Sequence, residues 1–332
     1  MKQKIHNSIH TKPSLAGLIF SLISVLNLCV GCRRDPPTIA VIPQTIGTSL
    51  WSGEYSGASS AAQKLNFKIY WNAPTREDDV EGQIALVEKA LVQHNCRGLV
   101  LTPNQSLALI TPVRRAVASG IPTVITSTPL AIPPGPRLAY VLNDDEEGGR
   151  IAALHVGKVL HGAGSVAVMG IDPGVRGVMT RARSFESTLT QFYPGIKIIA
   201  KRLGSYNGPQ EQQVAEEVLR RSPAPDVIVS LTSAATLAAF RTITDMRKTS
   251  AVKLIGFDQD IAFWPVQTGE IDAVIVQDTY GMGEQAIQLI AELLQHKSVP
   301  LETKLKPMLV TRDNLDQPEI QHFVALNWGL PQ

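Results

Sequence analysis

Twice along this chain, short runs rich in β-branched residues alternate with longer amphipathic stretches, and that rhythm restricts the fold more than any other feature. The first series places strands at 38–43, 67–71, 98–102 and 123–126, with helical patterns at 52–65, 79–94 and 107–119 between them. Its spacing breaks at the proline-rich stretch 129–136. A second series then runs through strands at 140–142, 165–169, 197–201, 227–230, 253–257 and 273–276. Helices are expected at 146–160, 178–192, 209–220, 235–246 and 281–295, with a short one near 261–268. Runs such as Val227-Ile228-Val229 and Ala273-Val274-Ile275-Val276 do not alternate with polar residues. They read as parallel strands covered by helices on both faces. Two such series imply an α/β chain with two doubly wound parallel-sheet lobes. Ligands of these sheets bind beyond the carboxyl ends of the strands, so two facing lobes would line one cleft.

Composition agrees. A chain of 332 residues, 44% apolar and 18% charged, has enough apolar material for two packed units, which excludes a disordered or fibrous chain. Its 25 glycines and 22 prolines are spread between the apolar runs, as turn residues are. A net charge of +2, with no block of five like charges, argues against a nucleic-acid partner.

The N-terminus reads as an address. Lys2, Lys4 and Lys12 precede 17 residues without a formal charge, 15–31, and such a stretch can be a signal-peptide core or nearly a membrane span. Leu28-Cys29-Val30-Gly31-Cys32 resembles the lipobox of bacterial lipoproteins, with Cys29 where that motif usually has Leu. The resemblance implies a signal peptide at 1–31, lipid on Cys32 and a tether at 32–37. A cleaved soluble form and an uncleaved anchor are the alternatives. Each reading puts the rest of the chain outside the cytoplasm, on the periplasmic or extracellular face. Loss of the three lysines would take the formal charge from +2 to −1. Of three cysteines only Cys96 would then remain, too few for an internal disulfide, and its place between a helix and an apolar strand suits a small buried hydrophobe better than a reactive thiol.

Signs of catalysis are missing. There is no Gly-x-Ser-x-Gly elbow, phosphate-cradling glycine loop or His-Glu-x-x-His, and Gly162-Ala163-Gly164 precedes its strand, where no helix N-terminus could meet a phosphate. None of the seven histidines has metal-ligand spacing beside a cysteine or carboxylate cluster. The expectation is therefore no enzyme, no catalytic residue, no metal and no cofactor.

Several features in order carry a family resemblance. These are Ala40-Val41-Ile42-Pro43 leading to Trp51, the 98–103 strand with its terminal proline, Asn143-Asp144-Asp145 with Gly148-Gly149, and Gly256-Phe257-Asp258. Together they resemble the type I periplasmic sugar-binding proteins of the ribose-binding kind, whose fold also serves as the core of lac-repressor-type regulators. The resemblance spans about 38–310. It implies a hinge of three crossings, near Leu142, Gln277 and Leu309, with one lobe at 38–142 plus 278–308 and the other at 143–277 plus 309–332.

The family's site residues carry over one by one. Leu50 and Trp51 match its two sugar-sandwiching aromatics, and only Trp51 keeps a ring face for sugar C–H groups. A helix-start packing role is the alternative for Trp51. The family's Asp-Arg pair falls on Thr128 and Pro129, which removes a charged clamp for hydroxyls. Arg181, four residues before Phe185, would offer two parallel donors, against the alternative of an ordinary solvated arginine in a helix that also holds Arg183. Tyr206 matches an aromatic opposite Trp51, and Thr232 stands where the family has Asn. Asp258 would accept two hydroxyl protons, and Gln277 would both donate and accept or else pack the hinge.

The expectation is a membrane-tethered substrate-binding lipoprotein of an ABC importer, a monomer that binds a monosaccharide or similar small polyol and passes it to an ABC permease. A ligand sensor or chemoreceptor subunit with the same cleft is the alternative. A transcription-regulator core is disfavoured because a signal segment stands where a DNA-binding domain would be.

Overall fold

The structure, a computed structural model, describes residue 1 and residues 35–93, 96–260 and 263–328. The expected signal segment beyond Met1, the lipidation site Cys32 and the first half of the tether lie outside the described residues, as do His94 and positions 261–262 of the expected short helix.

Pro37–Gln332 packs as one compact unit. The first series folds as β1 (Thr38–Ile42), α1 (Ser52–Leu65), β2 (Lys68–Trp71), α2 (Val80–Gln93), β3 (Gly98–Leu101), α3 (Ile110–Ala118) and β4 (Thr123–Ser127). Next comes β5 (Leu138–Asn143), which pairs parallel with β4 and so belongs to the first sheet instead of opening the second. The proline-rich loop 129–136 is therefore a long link within a lobe. The second series folds as α4 (Asp145–Val159), β6 (Ala163–Ile171), α5 (Arg176–Phe192), β7 (Gly195–Leu203), α6 (Gly208–Leu219), β8 (Val227–Ser230), α7 (Ser233–Asp245), β9 (Lys253–Phe257), α8 (Trp264–Thr268) and β10 (Ala273–Val276). The chain closes with α9 (Thr279–Leu294), β11 (Glu302–Leu305), β12 (Met308–Thr311) and α10 (Pro318–Trp328).

One six-stranded sheet runs β11-β5-β4-β3-β1-β2, all parallel. The other runs β12-β10-β9-β8-β6-β7, parallel except where β12 meets β10. Fully apolar strands such as β3, β8 and β10 are buried along their whole length, as strands between two helix layers must be. Four apolar clusters fill the four sheet faces. Each fully buried Leu, Ile, Val or Phe in them stabilises the fold by roughly 1.5–3 kcal/mol. This is the expected architecture of two doubly wound α/β lobes.

The chain passes between sheets after β5, after β10 and between β11 and β12. The third passage falls at 306–307, ahead of Leu309, which already lies in β12 opposite Ile275. Close helix packing fixes each lobe's outer layer. A Cβ on Gly57 of α1 would stand 2.0 Å from the Tyr280 carbonyl of α9, and one on Gly149 of α4 would stand 2.3 Å from the Arg181 carbonyl of α5. Only glycine admits such approach. The C-terminal helix α10 has no counterpart in the sequence expectation. Its buried Asn327 receives bonds from Thr279 Oγ1 (3.1 Å) and the Tyr280 N–H (2.9 Å), pinning it beside the second crossing.

Candidate functional site

Loops at the carboxyl ends of both sheets meet around a tight inner cavity of about 30 Å³. All eight sequence-predicted site residues line it: Leu50, Trp51, Thr128, Arg181, Tyr206, Thr232, Asp258 and Gln277. Pro129 does not; it lines a separate cavity of about 490 Å³ with the 130–134 loop.

Arg181 organises the floor. It sits on the buried face of α5, while Arg183, two residues on, is exposed, because residues at that spacing point to different sides of a helix. Its Nε donates to Asp145 Oδ1 at 2.6 Å, and Nη1 donates to the Leu231 carbonyl at 2.8 Å and to Asp258 at 3.2 and 3.3 Å. The guanidinium also lies 4.9 Å from the Phe257 ring centre. Burial works against its charge, but the carboxylates of Asp258 and Asp145 more than restore it and hold its pKa above the usual value. Burial pushes both carboxyls up in turn, opposed by the arginine between them. Nη2 has no protein acceptor among the described residues and remains available to a guest.

Asp258 follows β9 at φ +67°, a left-handed backbone that Asp tolerates better than most residues, and this turns its carboxylate into the cavity lining. Gln277, just past β10, donates through Nε2 to Asp258, and its Oε1 accepts from Asn143 Nδ2. Asn143 and Gln277 stand at the first two crossings, so this chain of bonds joins the hinge to the cavity. Gln277 thus both lines the cavity and bonds across the hinge.

On the first lobe, Leu50 and Trp51 lie in the turn before α1, 4% and 3% exposed. The indole Nε1 is buried without a partner among the described residues. Thr128 Oγ1 accepts from the Gly177 N–H across the cleft at 3.0 Å, so one of its lone pairs is already engaged. Thr232 caps α7, accepting from Ala235 N at 3.3 Å. Tyr206 stands at φ +53° between β7 and α6. It lines both the inner cavity and a vestibule of about 670 Å³ formed from both lobes.

Sequence reasoning missed two charged members of the lining, Glu77 and Asp145. Asp145 was visible in Asn143-Asp144-Asp145 but reads as an ordinary first-turn acid of α4. Glu77 follows strand β2, and the rule that strand-end loops line the cleft would have pointed to it. Away from the site, Cys96 is 3% exposed inside the first core, and burial pushes its thiol up to about 11, as suits an inert side chain. Among the described residues no helix is long and apolar enough to cross a membrane.

Two α/β lobes closing on a polar cavity through a three-strand hinge define a cleft-binding protein of the type I periplasmic architecture. The family of the periplasmic binding protein domain matches residues 39–298, and the chain belongs to that family. Among curated relatives, a D-allose-binding periplasmic protein from Escherichia coli (strain K12) is 24% identical over 271 residues, 79% of this chain and 86% of the relative. The ribose import binding protein RbsB of Bacillus subtilis (strain 168) is 22% identical over 289 residues, 82% of this chain and 92% of the relative. Among solved structures, a carbohydrate transporter solute-binding protein from Agrobacterium radiobacter in complex with D-arabinose superposes with a TM-score of 0.80 at 24% identity, covering 88% of this chain and 99% of that one. A Caulobacter myo-inositol-binding protein bound to myo-inositol gives a TM-score of 0.76 at 22% identity, covering 88% and 99%.

Proposed function

We propose that this protein is the extracytoplasmic substrate-binding lipoprotein of an ABC importer, and that it holds a monosaccharide or similar small polyol in the inner cavity. The observation that carries the proposal is the convergence, on one cavity between the lobes, of an aromatic face and a set of fixed polar groups: Trp51 with Arg181, Asp258 and Gln277. Cavities that enclose small ligands run from roughly 300 to 1,000 Å³, so admitting a sugar requires the lobes and lining side chains to move apart from the closed arrangement seen here. Relatives named for ribose and allose support a sugar, as does the D-arabinose in the similar solved structure.

Ring faces on Trp51 and Tyr206 would cover the sugar's C–H surfaces, while Asp258, Gln277 and Nη2 of Arg181 bond its hydroxyls. Leu50, Thr128 and Thr232 would shape the remaining wall. Among the described lining residues no nucleophile is paired with a base, so the guest would leave unchanged. Because the cavity wall comes from both lobes, a guest favours their closed arrangement, and the closed, loaded form would dock on the permease. Lipid on Cys32 would keep the protein at the membrane; the Leu28–Cys32 sequence supports this part of the proposal.

A thermal-shift screen of pentoses, hexoses and polyols, followed by calorimetry, tests the site. Asp258→Asn keeps a residue suited to the left-handed backbone while removing the charge, and should weaken binding by about 2 kcal/mol or more. Unchanged affinity would remove Asp258 from the site. Cys32→Ser should move the protein from the membrane to the soluble fraction, and retention on membranes would contradict the lipid anchor.

A further inference from the structure

Glu77 stands on the loop between β2 and α2, half-buried, and lines both the inner cavity and the vestibule. The acids around it have partners. Asp78 receives Arg76 at 2.8 and 2.9 Å, Asp260 receives Ser49, and Asp145 and Asp258 share Arg181. Glu77 has no hydrogen bond or ion pair to the protein among the described residues. Burial, followed by the nearby carboxylates of Asp260, Asp258 and Asp78, pushes its carboxyl up to about 8.

The charge balance of the inner cavity is therefore lopsided. Three carboxyl groups face one guanidinium, and Arg181 is already divided between Asp145 and Asp258. Among other cations, Arg76 and Arg241 line the vestibule, where Arg76 is held by Asp78 and Arg241 is exposed to solvent, and Arg176 lines the separate cavity beside Asp145. A second, independent polar group on a residue of the same lining is also unpartnered. The indole Nε1 of Trp51, on a side chain 3% exposed, is a buried donor with no acceptor among the described residues. A guest that offers an oxygen to that donor and an ammonium to Glu77 would satisfy both.

We propose that the guest is an amino sugar or amino polyol, its protonated amine against Glu77 and its hydroxyls on Asp258, Gln277 and Nη2 of Arg181. This rests on the inner cavity being the sugar site argued above, and it narrows the class of sugar. A neutral sugar, once closure expels water, would leave the Glu77 carboxyl protonated and without a hydrogen-bond partner, whereas a nearby ammonium favours its ionised form, the proton passing to solvent. An ammonium turns that cost into a charge-assisted hydrogen bond in a dry setting. The same excess of acid works against uronic acids and other anionic sugars.

The test is calorimetry on the full-length protein in mild detergent at pH 7 with matched pairs. These are D-glucosamine and D-glucose, D-galactosamine and D-galactose, D-mannosamine and D-mannose, a 3-amino-3-deoxyhexose and its parent, and an aminodeoxyinositol and myo-inositol, together with the N-acetyl forms. At least one amine should bind about tenfold or more tighter than its neutral parent, and acetylation should abolish that advantage. Glu77→Gln, with its fold checked by thermal melting, should lower the amine-to-parent ratio at least about fivefold, and Glu77→Asp should restore part of it. Neutral parents binding as tightly as every amine, or a ratio unmoved in Glu77→Gln, would overturn the amine inference and leave the sugar site standing. No binding by any member of any pair would overturn both.

Discussion

Ser49 donates both its backbone N–H and its hydroxyl to the same oxygen of Asp260, each at 2.7 Å, and so ties a first-lobe turn to a second-lobe strand-end loop. Across the cavity, the Gly177 N–H reaches Thr128 Oγ1 at 3.0 Å, also between lobes. The lobes are thus closed and latched beside the cavity, at these two places and where Ser106 meets Gly174 and Arg176. Since the latch exists only in the closed form, it contributes to ligand affinity by favouring closure. Partly exposed hydrogen bonds to a charged group are worth about 1 kcal/mol, so Asp260→Ala should weaken ligand binding about fivefold. Small-angle scattering should show the variant more expanded than wild type at subsaturating ligand. Equal affinity and equal radius would mean that the latch does not contribute.

Arg181 holds two buried carboxylates at once, and removing it would leave both without a cation. Breaking a buried pair in this way costs about 3–5 kcal/mol, so Arg181→Ala should lower the melting temperature markedly. Arg181→Lys keeps the charge but not the fork that reaches Asp145, Asp258 and the Leu231 carbonyl together. It should melt between Ala and wild type and still lose most ligand affinity in calorimetry. A lysine variant with wild-type affinity would show that only charge matters there.

Much of this fold was legible because parallel strands buried on both faces read as unbroken apolar runs, as β8 and β10 do. The edges were not. Glu302-Thr303-Lys304-Leu305 in β11 alternates exposed and half-buried residues, and nothing local separates it from a loop until β5 is placed beside it. The same holds for α10, which is defined by what Asn327 reaches at the second crossing. At the site, residues at strand ends could be named from their order in the chain, Asp258 and Gln277 among them. Glu77 could have been placed in the lining by the same strand-end rule, but its significance and that of Asp145 lie in which charges stand near them in space, and sequence spacing does not encode that.

Trp51 offers a way to separate a ring face from a donor. Trp51→Phe keeps an aromatic surface and deletes the buried, unpartnered Nε1–H. An unsatisfied buried donor costs about 1–3 kcal/mol, so the unliganded variant should melt at or above the wild-type temperature. If the donor is used by the guest, the same variant should bind about fivefold or more weakly, a loss of about 1 kcal/mol. Lower stability together with unchanged affinity would make Trp51 a packing residue only.

Glu54 on α1 is fully buried under the first lobe's strand ends, accepting from Thr126 Oγ1 at 2.8 Å and Thr102 Oγ1 at 3.1 Å. Burial dominates those bonds and raises its carboxyl from 4.5 to about 7. In the unfolded chain the group ionises near its ordinary value, while in the folded chain it keeps its proton until about pH 7. Between those values the folded state binds more protons, so stability must fall as pH rises through that window and level off above it. The shift corresponds to about 3 kcal/mol across the window. Glu54→Gln retains an amide that can donate and accept in the same place and carries no charge at any pH. Urea denaturation from pH 4.5 to 8.5 should therefore show the variant gaining on wild type as pH rises, with the two closest at the acid end. Parallel curves for the two proteins would mean that Glu54 titrates normally and that the burial in α1 is relieved by solvent.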